Sequence, residues 1–441
     1  MAIYLLSRLF GQRFVFLNNE RLVKKAFADE ENRALFQERP KTIFSEDLVK
    51  HGVIWSHDMG LQQAMRKILQ RALGLYGDGT DKFESVISNG VDAMCQRIKY
   101  ENGSDFCMDT FIKDSLSNLI SILMSGERLE YGSDEINIFW DYTESAGTVA
   151  HPLNVIVLSA FPLLRKMPGY WGNIYKESCR CRDRIIDKFY LSKKSTHVSG
   201  DARGMVDVFI DIQEKQRAQG VTWFTDVHIQ ELLVDTVAAA LITTHHTMGA
   251  FFLALLHHPE VQQKVYKEIG EVVGLSRRPR LEDRSSMPYM QATILEILRC
   301  LSTVPLALPH LASQDAILEG YLVEKNSVVF PCLWSIHYNE KTYVNPEEFR
   351  PERFLDDNGG LIDLEDQKRQ SLMPFGIGRR NCVGEQFARA RLFLYFTTLL
   401  QQFEFLPPQN SSVPEWNPRA FEHRITIVPP PVYCQVKQRS L

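Results

Sequence analysis

Little in this chain is extreme. The formal net charge is only −4 over 441 residues, so no global field draws the protein to nucleic acid or to anionic lipid. C-x-x-C pairs are missing, which removes the commonest zinc signature. The eight cysteines (Cys95, Cys107, Cys179, Cys181, Cys300, Cys332, Cys382 and Cys434) form no disulfide-like framework. Cys179 and Cys181 stand too close for an ordinary bridge, so the thiols read as reduced. No internal repeat is present. The apolar opening, residues 1–10, is too short for a bilayer crossing of about 20 residues. It lacks a small-residue cleavage site and runs into residues 11–17 as strand, turn and strand. What the chain has is bulk: 44% hydrophobic and 24% charged residues are ordinary globular material for a large core.

The stretch that organises the rest runs from Met373 to Arg391. A glycine-rich loop delivers Cys382 to the N-terminus of an apolar helix, where free N–H groups and the helix dipole favour a thiolate. In the spacing Phe375-x-x-Gly378-x-Arg380-x-Cys382-x-Gly384, Cys382 reads as an axial iron ligand whose thiolate pushes electron density toward bound oxygen. Gly378 permits the tight turn, and Gly384 leaves no side chain where backbone meets a flat macrocycle. Arg380 would neutralise a haem propionate, and Phe375 would cover one side of the sulfur. The plainer alternative is a buried structural cysteine ahead of an ordinary helix.

This pattern resembles the haem-binding loop of the cytochrome P-450 family, matching all five of its motif positions. Residues 279–289 and 348–355 make the resemblance closest to the animal microsomal class that hydroxylates drugs and steroids. It implies a mostly α fold with small β-sheets. One catalytic domain would span residues 1–441, its β-rich lobe drawn from 1–30, 317–332 and a C-terminal hairpin. Haem b would lie between a long central helix and the cysteine-loop helix, with iron on Cys382. The family's animal members carry a membrane-anchoring helix and a proline-rich hinge ahead of the first hairpin; both are absent from this chain. The implied reaction inserts one oxygen atom of O2 into an apolar steroid, fatty acid, isoprenoid or xenobiotic. Electrons would come from NADPH through a flavoprotein reductase, with cytochrome b5 as a further partner, at the cytoplasmic face of the endoplasmic reticulum. Arg66, Lys67, Arg379, Arg389 and Arg391 would steer the acidic reductase.

Other segments supply context. Residues 18–27 read as an Asn-capped helix, 38–58 as loop, and Gly60 to Arg71 as a basic amphipathic helix. By resemblance, Arg66 on that helix holds a propionate, while Gln62 stands where the family has tryptophan; the alternative is a solvated charge. Helical periodicity runs from Asp81 to Met124 and resumes near Ile136. Residues 150–172, apolar and proline-punctuated with Arg165 and Lys166 at one end, suit either a contact with a membrane surface or a buried corner. Residues 192–204 read as a polar linker.

Asp226 to His257 is the longest helical pattern, and Glu231, Asp235, His245 and His246 argue against a membrane span. The resemblance sets Ala239, Ala240 and Thr243 on the oxygen-activation segment. Ala240 replaces its glycine and Ile242 its acidic residue. Thr243 either hydrogen-bonds the distal oxygen or its water, or merely back-bonds to the Ala239 carbonyl. Adjacent His245 and His246 are poor chelators and read as a polar helix face.

Glu296 and Arg299, three apart on one helix face, match with Arg353 the family's structural Glu–Arg–Arg triad; a surface ion pair is the alternative. His310 is the second propionate candidate, or a satisfied loop histidine. Val304, Leu306 and Ala307 would face the substrate. Residues 403–406 and 425–428 would frame the C-terminal hairpin that closes the pocket. Two competing functions remain open: a haem-thiolate isomerase or dehydratase acting on a hydroperoxide, and a haem-binding remnant without catalysis.

Overall fold

The computed structural model describes residues 4–9, 11–76 and 81–439; residues 1–3 and 10 of the expected first strand and turn lie outside them. The described fold is mostly helical, with small sheets at its margins. Strands Tyr4–Leu9 and Gln12–Leu17 pair antiparallel, Leu9 opposite Gln12. Val328–Pro331 adds parallel to the second strand and His310–Leu311 closes the sheet. Residues over 300 positions apart thus share one sheet, and its edge strand brings His310 toward the body of helices.

The long helix spans Asp226–His257. Thr225 and His228 satisfy its first N–H groups in a capping box, and His258-Pro259 ends it because proline cannot continue the ladder. It is long and apolar enough to cross a membrane by composition, yet it runs through the protein core with Leu232, Leu233, Val237, Leu241, Met248 and Phe252 almost fully buried. Phe251 stacks on Phe396 of the helix Glu385–Gln402, ring centroids 3.5 Å apart. That contact locks together the two helices between which the site lies. His245 is buried against Trp140 and stands 3.1 Å from Asp109, and burial pushes His246 down to about 3. The pair belongs to the interior, not to a solvated face.

Several boundaries differ from the sequence reading. The first helix is capped by Asn19, whose side chain accepts from the Leu22 N–H. Residues 38–58 contain a wide helical turn, Phe44–Leu48. The pattern 81–124 splits into helices Asp81–Lys99 and Met108–Ser125 around a two-residue strand. Phe403–Leu406 pairs with Tyr433–Gln438, while Ile427–Val428 pairs with Glu422–His423. The expected hairpin is therefore two separate pairings, and no residue beyond 392 lines the central cavity among the described residues.

Glu296, Arg299 and Arg353 meet in a site that is 0–5% exposed. Glu296 accepts from Arg299 Nε at 2.8 Å and Nη2 at 2.9 Å, from Arg353 Nε at 2.9 Å, and from the Arg350 N–H at 2.9 Å. The remaining guanidinium N–H groups donate to the carbonyls of His337, Val344, Asn345 and Glu348. One carboxylate thus ties the helix Pro288–Leu301 to the irregular segment leading toward Cys382. Glu296→Leu would strand two buried guanidinium groups, and we expect a loss of about 3–5 kcal/mol, read as a lower urea midpoint at unchanged slope.

Candidate active site

The loop ahead of helix Glu385–Gln402 is set by backbone geometry. Gly378 has φ +77°, and a Cβ there would drive into the Phe27 carbonyl. Only glycine allows that contact and that dihedral together. The Cys382 N–H donates to the Phe375 carbonyl at 2.9 Å, closing the loop. Cys382 is exposed and lines the central cavity. Burial pushes the Cys382 thiol up; the Gly384 N–H, Arg66 and Arg391 pull the other way without prevailing. The helix terminus alone therefore does not make a thiolate here. At Gly384 a Cβ would meet no protein atom, so packing within the protein does not itself require glycine there.

The cavity is walled by the cysteine loop on one side and the long helix on the other, where Thr236, Ala239, Ala240, Thr243 and Thr244 face in. Its void amounts to about 1870 Å³, mouth included. One flank carries Arg39, Arg66, Arg380 and His310, and the single lining carboxylate is Asp235. Arg39, which the sequence reading passed over, is 4% exposed and donates to the carbonyls of Ile54, Leu308 and Pro309. Arg380 donates to Gln37, Val53 and Ser56 carbonyls. Burial, with Arg66 beside it, brings Arg380 down to about 10; burial, with Arg380 beside it, also lowers Arg39. This flank thus concentrates positive charge, and among the described residues none of Arg39, Arg66 and Arg380 pairs with a carboxylate.

Arg66 spends its guanidinium on Asn381, Nη1 to the carbonyl at 2.7 Å and Nη2 to Oδ1 at 2.8 Å, bracing the residue before Cys382. Gln62, one turn earlier, is buried and lines the cavity. His310 donates Nδ1–H to the Phe36 carbonyl at 2.6 Å, and burial with Arg39 nearby holds its pKa far below the ordinary value. Its imidazole is neutral, so Nε2 offers a lone pair and not a proton. Val304 and Ala307 line the cavity, but Leu306 does not: it is 41% exposed. Ala307 takes φ +48°, and that turn swings its neighbour outward.

The sequence profile of the family described as Cytochrome P450 matches residues 4–436. The chain belongs to the cytochrome P450 family. It is 29% identical to cytochrome P450 2U1 of Homo sapiens over 98% of this chain and 80% of that one. To the steroid 17-alpha-hydroxylase/17,20 lyase of Ictalurus punctatus it is 29% identical, over 92% and 79%. Cytochrome P450 2D27 of Mesocricetus auratus matches at 31% over 80% and 69%. Membership makes the protein a haem monooxygenase of a family that carries iron on a cysteine thiolate. The observed cavity fits that group: one sulfur open to it, apolar faces, and a cationic flank for a macrocycle bearing two carboxylates.

Three further features mark the wall opposite Cys382. Arg391 is 2% exposed, with Nε and Nη1 unpartnered and Nη2 bonded to Thr244 Oγ1 and the Ala240 carbonyl. It lines the cavity and so cannot belong to a docking surface; a tertiary contact overrides the expectation from its helix position. Thr243 donates to the Ala239 carbonyl at 2.7 Å, leaving its lone pairs to the cavity, while Ile242 is not among the lining residues. Asp235 is fully enclosed; burial, with Glu231 nearby, raises its carboxyl to about 7 although it accepts the Ile54 N–H.

Gly378→Ala should lose haem and fold together, since αL strain of about 1–2 kcal/mol adds to a backbone clash; Soret absorbance against Tm checks this. For Asp235, the folded protein keeps a proton that the unfolded chain releases. Its contribution to stability is full below about pH 4 and falls away as pH rises through about 7. We expect Asp235→Asn to flatten the decline of Tm across that window.

Proposed function

We propose that this P450 inserts one oxygen atom into an apolar substrate, using electrons from NADPH delivered by a flavoprotein reductase. The observation that carries the reading is the facing of the Cys382 sulfur and the Ala239–Ala240–Thr243 wall across one apolar cavity. Cys382 would hold the iron, within a loop positioned by Phe375, Gly378, Arg380 and Gly384. Arg39 and Arg380 would balance the propionates, with Arg66 acting through Asn381. His310 would contribute only if a propionate drove its protonation against Arg39 and Arg380. When bound, haem iron supplies the oxygen chemistry; the protein supplies position, charge and exclusion of water. Ala239 and Ala240 keep side chains short where a small ligand must fit, and Thr243 offers an acceptor there. Val304, Ala307, Leu123 and Met205 would contact the substrate, whose identity as steroid, fatty acid, isoprenoid or xenobiotic is set by these apolar walls.

Electrons would enter from the cysteine side, where a concavity lined by Arg66, Arg284, Glu385 and Arg389 reaches Cys382. Exposed Lys67 and Arg379 beside it would attract an acidic reductase or cytochrome b5. A charge reversal at Lys67 should slow reductase-supported reduction, more at low salt, with the haem spectrum unchanged.

On the far side, Leu153, Phe161, Leu163, Met167 and Tyr170 are each more than half exposed, a patch suited to the membrane surface. Arg165 does not serve there, being 9% exposed and paired with Asp47 at 3.3 Å; Lys166 is exposed. The setting we infer is the cytoplasmic face of the endoplasmic reticulum.

A second reading, isomerisation or dehydration of a hydroperoxide, is favoured by one observation: the Thr243 hydroxyl is spent on Ala239 and Ile242 brings no acid to the wall. The deciding experiment takes purified protein with the reduced, CO-bound absorption signature of a thiolate ligand. Product formed from an apolar substrate only with NADPH and reductase supports the monooxygenase; product from a hydroperoxide without NADPH supports the isomerase. With neither, the chain is a haem-binding remnant.

A further inference from the structure

Residues 192–204 do not behave as a free polar linker. Arg203 Nε and Nη2 pair with Asp207 at 2.7 and 2.8 Å, and the Arg203 N–H adds a bond of 3.0 Å to the same carboxylate. Arg203 also donates to Thr196 Oγ1 and to the Lys193 carbonyl. These bonds fold the segment back on the helix Met205–Ala218. On that helix Asp207, Asp211 and Glu214 recur at four- and three-residue intervals, so they share one face.

His197 reaches this face from the folded-back segment. Its side chain is 6% exposed, and Nδ1 lies 3.2 Å from Asp207 Oδ1. A carboxylate can only accept, so Nδ1 carries a proton toward Asp207, and Nε2 is the ring nitrogen left for a metal. Nε2 has no hydrogen-bond partner. It faces Asp211 Oδ1 at 3.1 Å and Glu214 Oε2 at 3.8 Å, and the three ligand atoms all lie within 4.8 Å of one another. Nε2 set against two carboxylates calls for positive charge between them, supplied either by a second ring proton or by a bound cation.

We propose that His197, Asp211 and Glu214 bind a zinc ion that staples the 195–204 segment to the helix Met205–Ala218. Two ligand atoms each about 2.0–2.2 Å from one tetrahedral zinc stand roughly 3.3–3.6 Å apart, a range bracketed by the 3.1 and 3.8 Å separations around Nε2. The charges agree. Arg203 balances Asp207, leaving two negative charges on Asp211 and Glu214 for a dication. Asp207 plays the outer partner that fixes the tautomer of a ligating histidine, and the Gly200 N–H, 3.2 Å from Asp211 Oδ1, orients one carboxylate. One imidazole with two carboxylates suits zinc, whereas calcium takes six to eight oxygens. Glu214 is half exposed, which leaves a side open for water. The staple lies outside the catalytic cavity, but Met205, first residue of the same helix, lines that cavity.

The test uses haem-loaded protein, in which Cys382 is engaged, stripped with chelator and dialysed against zinc chloride, with zinc and iron measured together. One zinc per haem iron is expected for the native chain. Asp211→Asn and Glu214→Gln are nearly isosteric and sit at partly exposed positions, so both should keep the CO-bound spectrum. Each should weaken zinc binding by about tenfold or more, and zinc should raise the Tm of the native protein but not of Asp211→Asn. No bound zinc would overturn the proposal, leaving a protonated His197 as the bridge between the carboxylates. Equal binding by native and variant proteins would overturn it too, placing the metal on other groups such as the free thiols.

Discussion

Guanidinium groups donating to backbone carbonyls hold this site together. Irregular segments leave carbonyls without ladder partners, and buried ones must be paired. Arg39 joins residues 54, 308 and 309, Arg380 joins 37, 53 and 56, and Arg66 joins its own helix to Asn381. Three loops far apart in sequence are thereby fixed around one flank of the cavity. The arrangement has an electrostatic consequence. Cations brought together out of water repel one another and lose hydration, as the depressed values of Arg39 and Arg380 record. An anionic cofactor on that flank relieves both penalties, so binding and folding are coupled and the loaded state should be the stable one.

The parts legible in the sequence were those that local chemistry dictates. The central helix announced itself through the length of its helical pattern, and its bounds match Asp226–His257. Glu296 and Arg299 share a helix face by spacing alone. The loop before Cys382 declared its glycine because Gly378 needs a positive φ. What escaped was tertiary. Arg39 lies in a segment with no periodicity, and nothing local distinguishes it from a surface arginine. Arg391 has the spacing of a helix charge; only the approach of the long helix at Ala240 and Thr244 reveals its burial. Leu306 was misplaced by a single left-handed residue, and the C-terminal pairings depended on a register that alternation does not specify.

The wall opposite Cys382 is unusual in its charge. Arg391 puts a buried cation against Ala240 and Thr244, with no carboxylate among its hydrogen-bond partners. The Thr243 hydroxyl proton is committed to Ala239. The acid that does line the cavity, Asp235, sits eight residues earlier on the same helix, about 12 Å away at 1.5 Å per residue. That span exceeds the reach of direct proton transfer, which needs hydrogen-bond contact or one intervening water.

Any proton passing from Asp235 toward Thr243 must therefore cross the space that substrate also occupies. A bulky apolar ligand filling the cavity between Leu123, Met205 and Val304 would expel the water such a path requires; a smaller or partly polar one would leave it. The walls proposed to contact the substrate would then also set whether water reaches Thr243. Burial holds the Asp235 carboxyl near 7, but its distance from Thr243 keeps it out of direct proton exchange there.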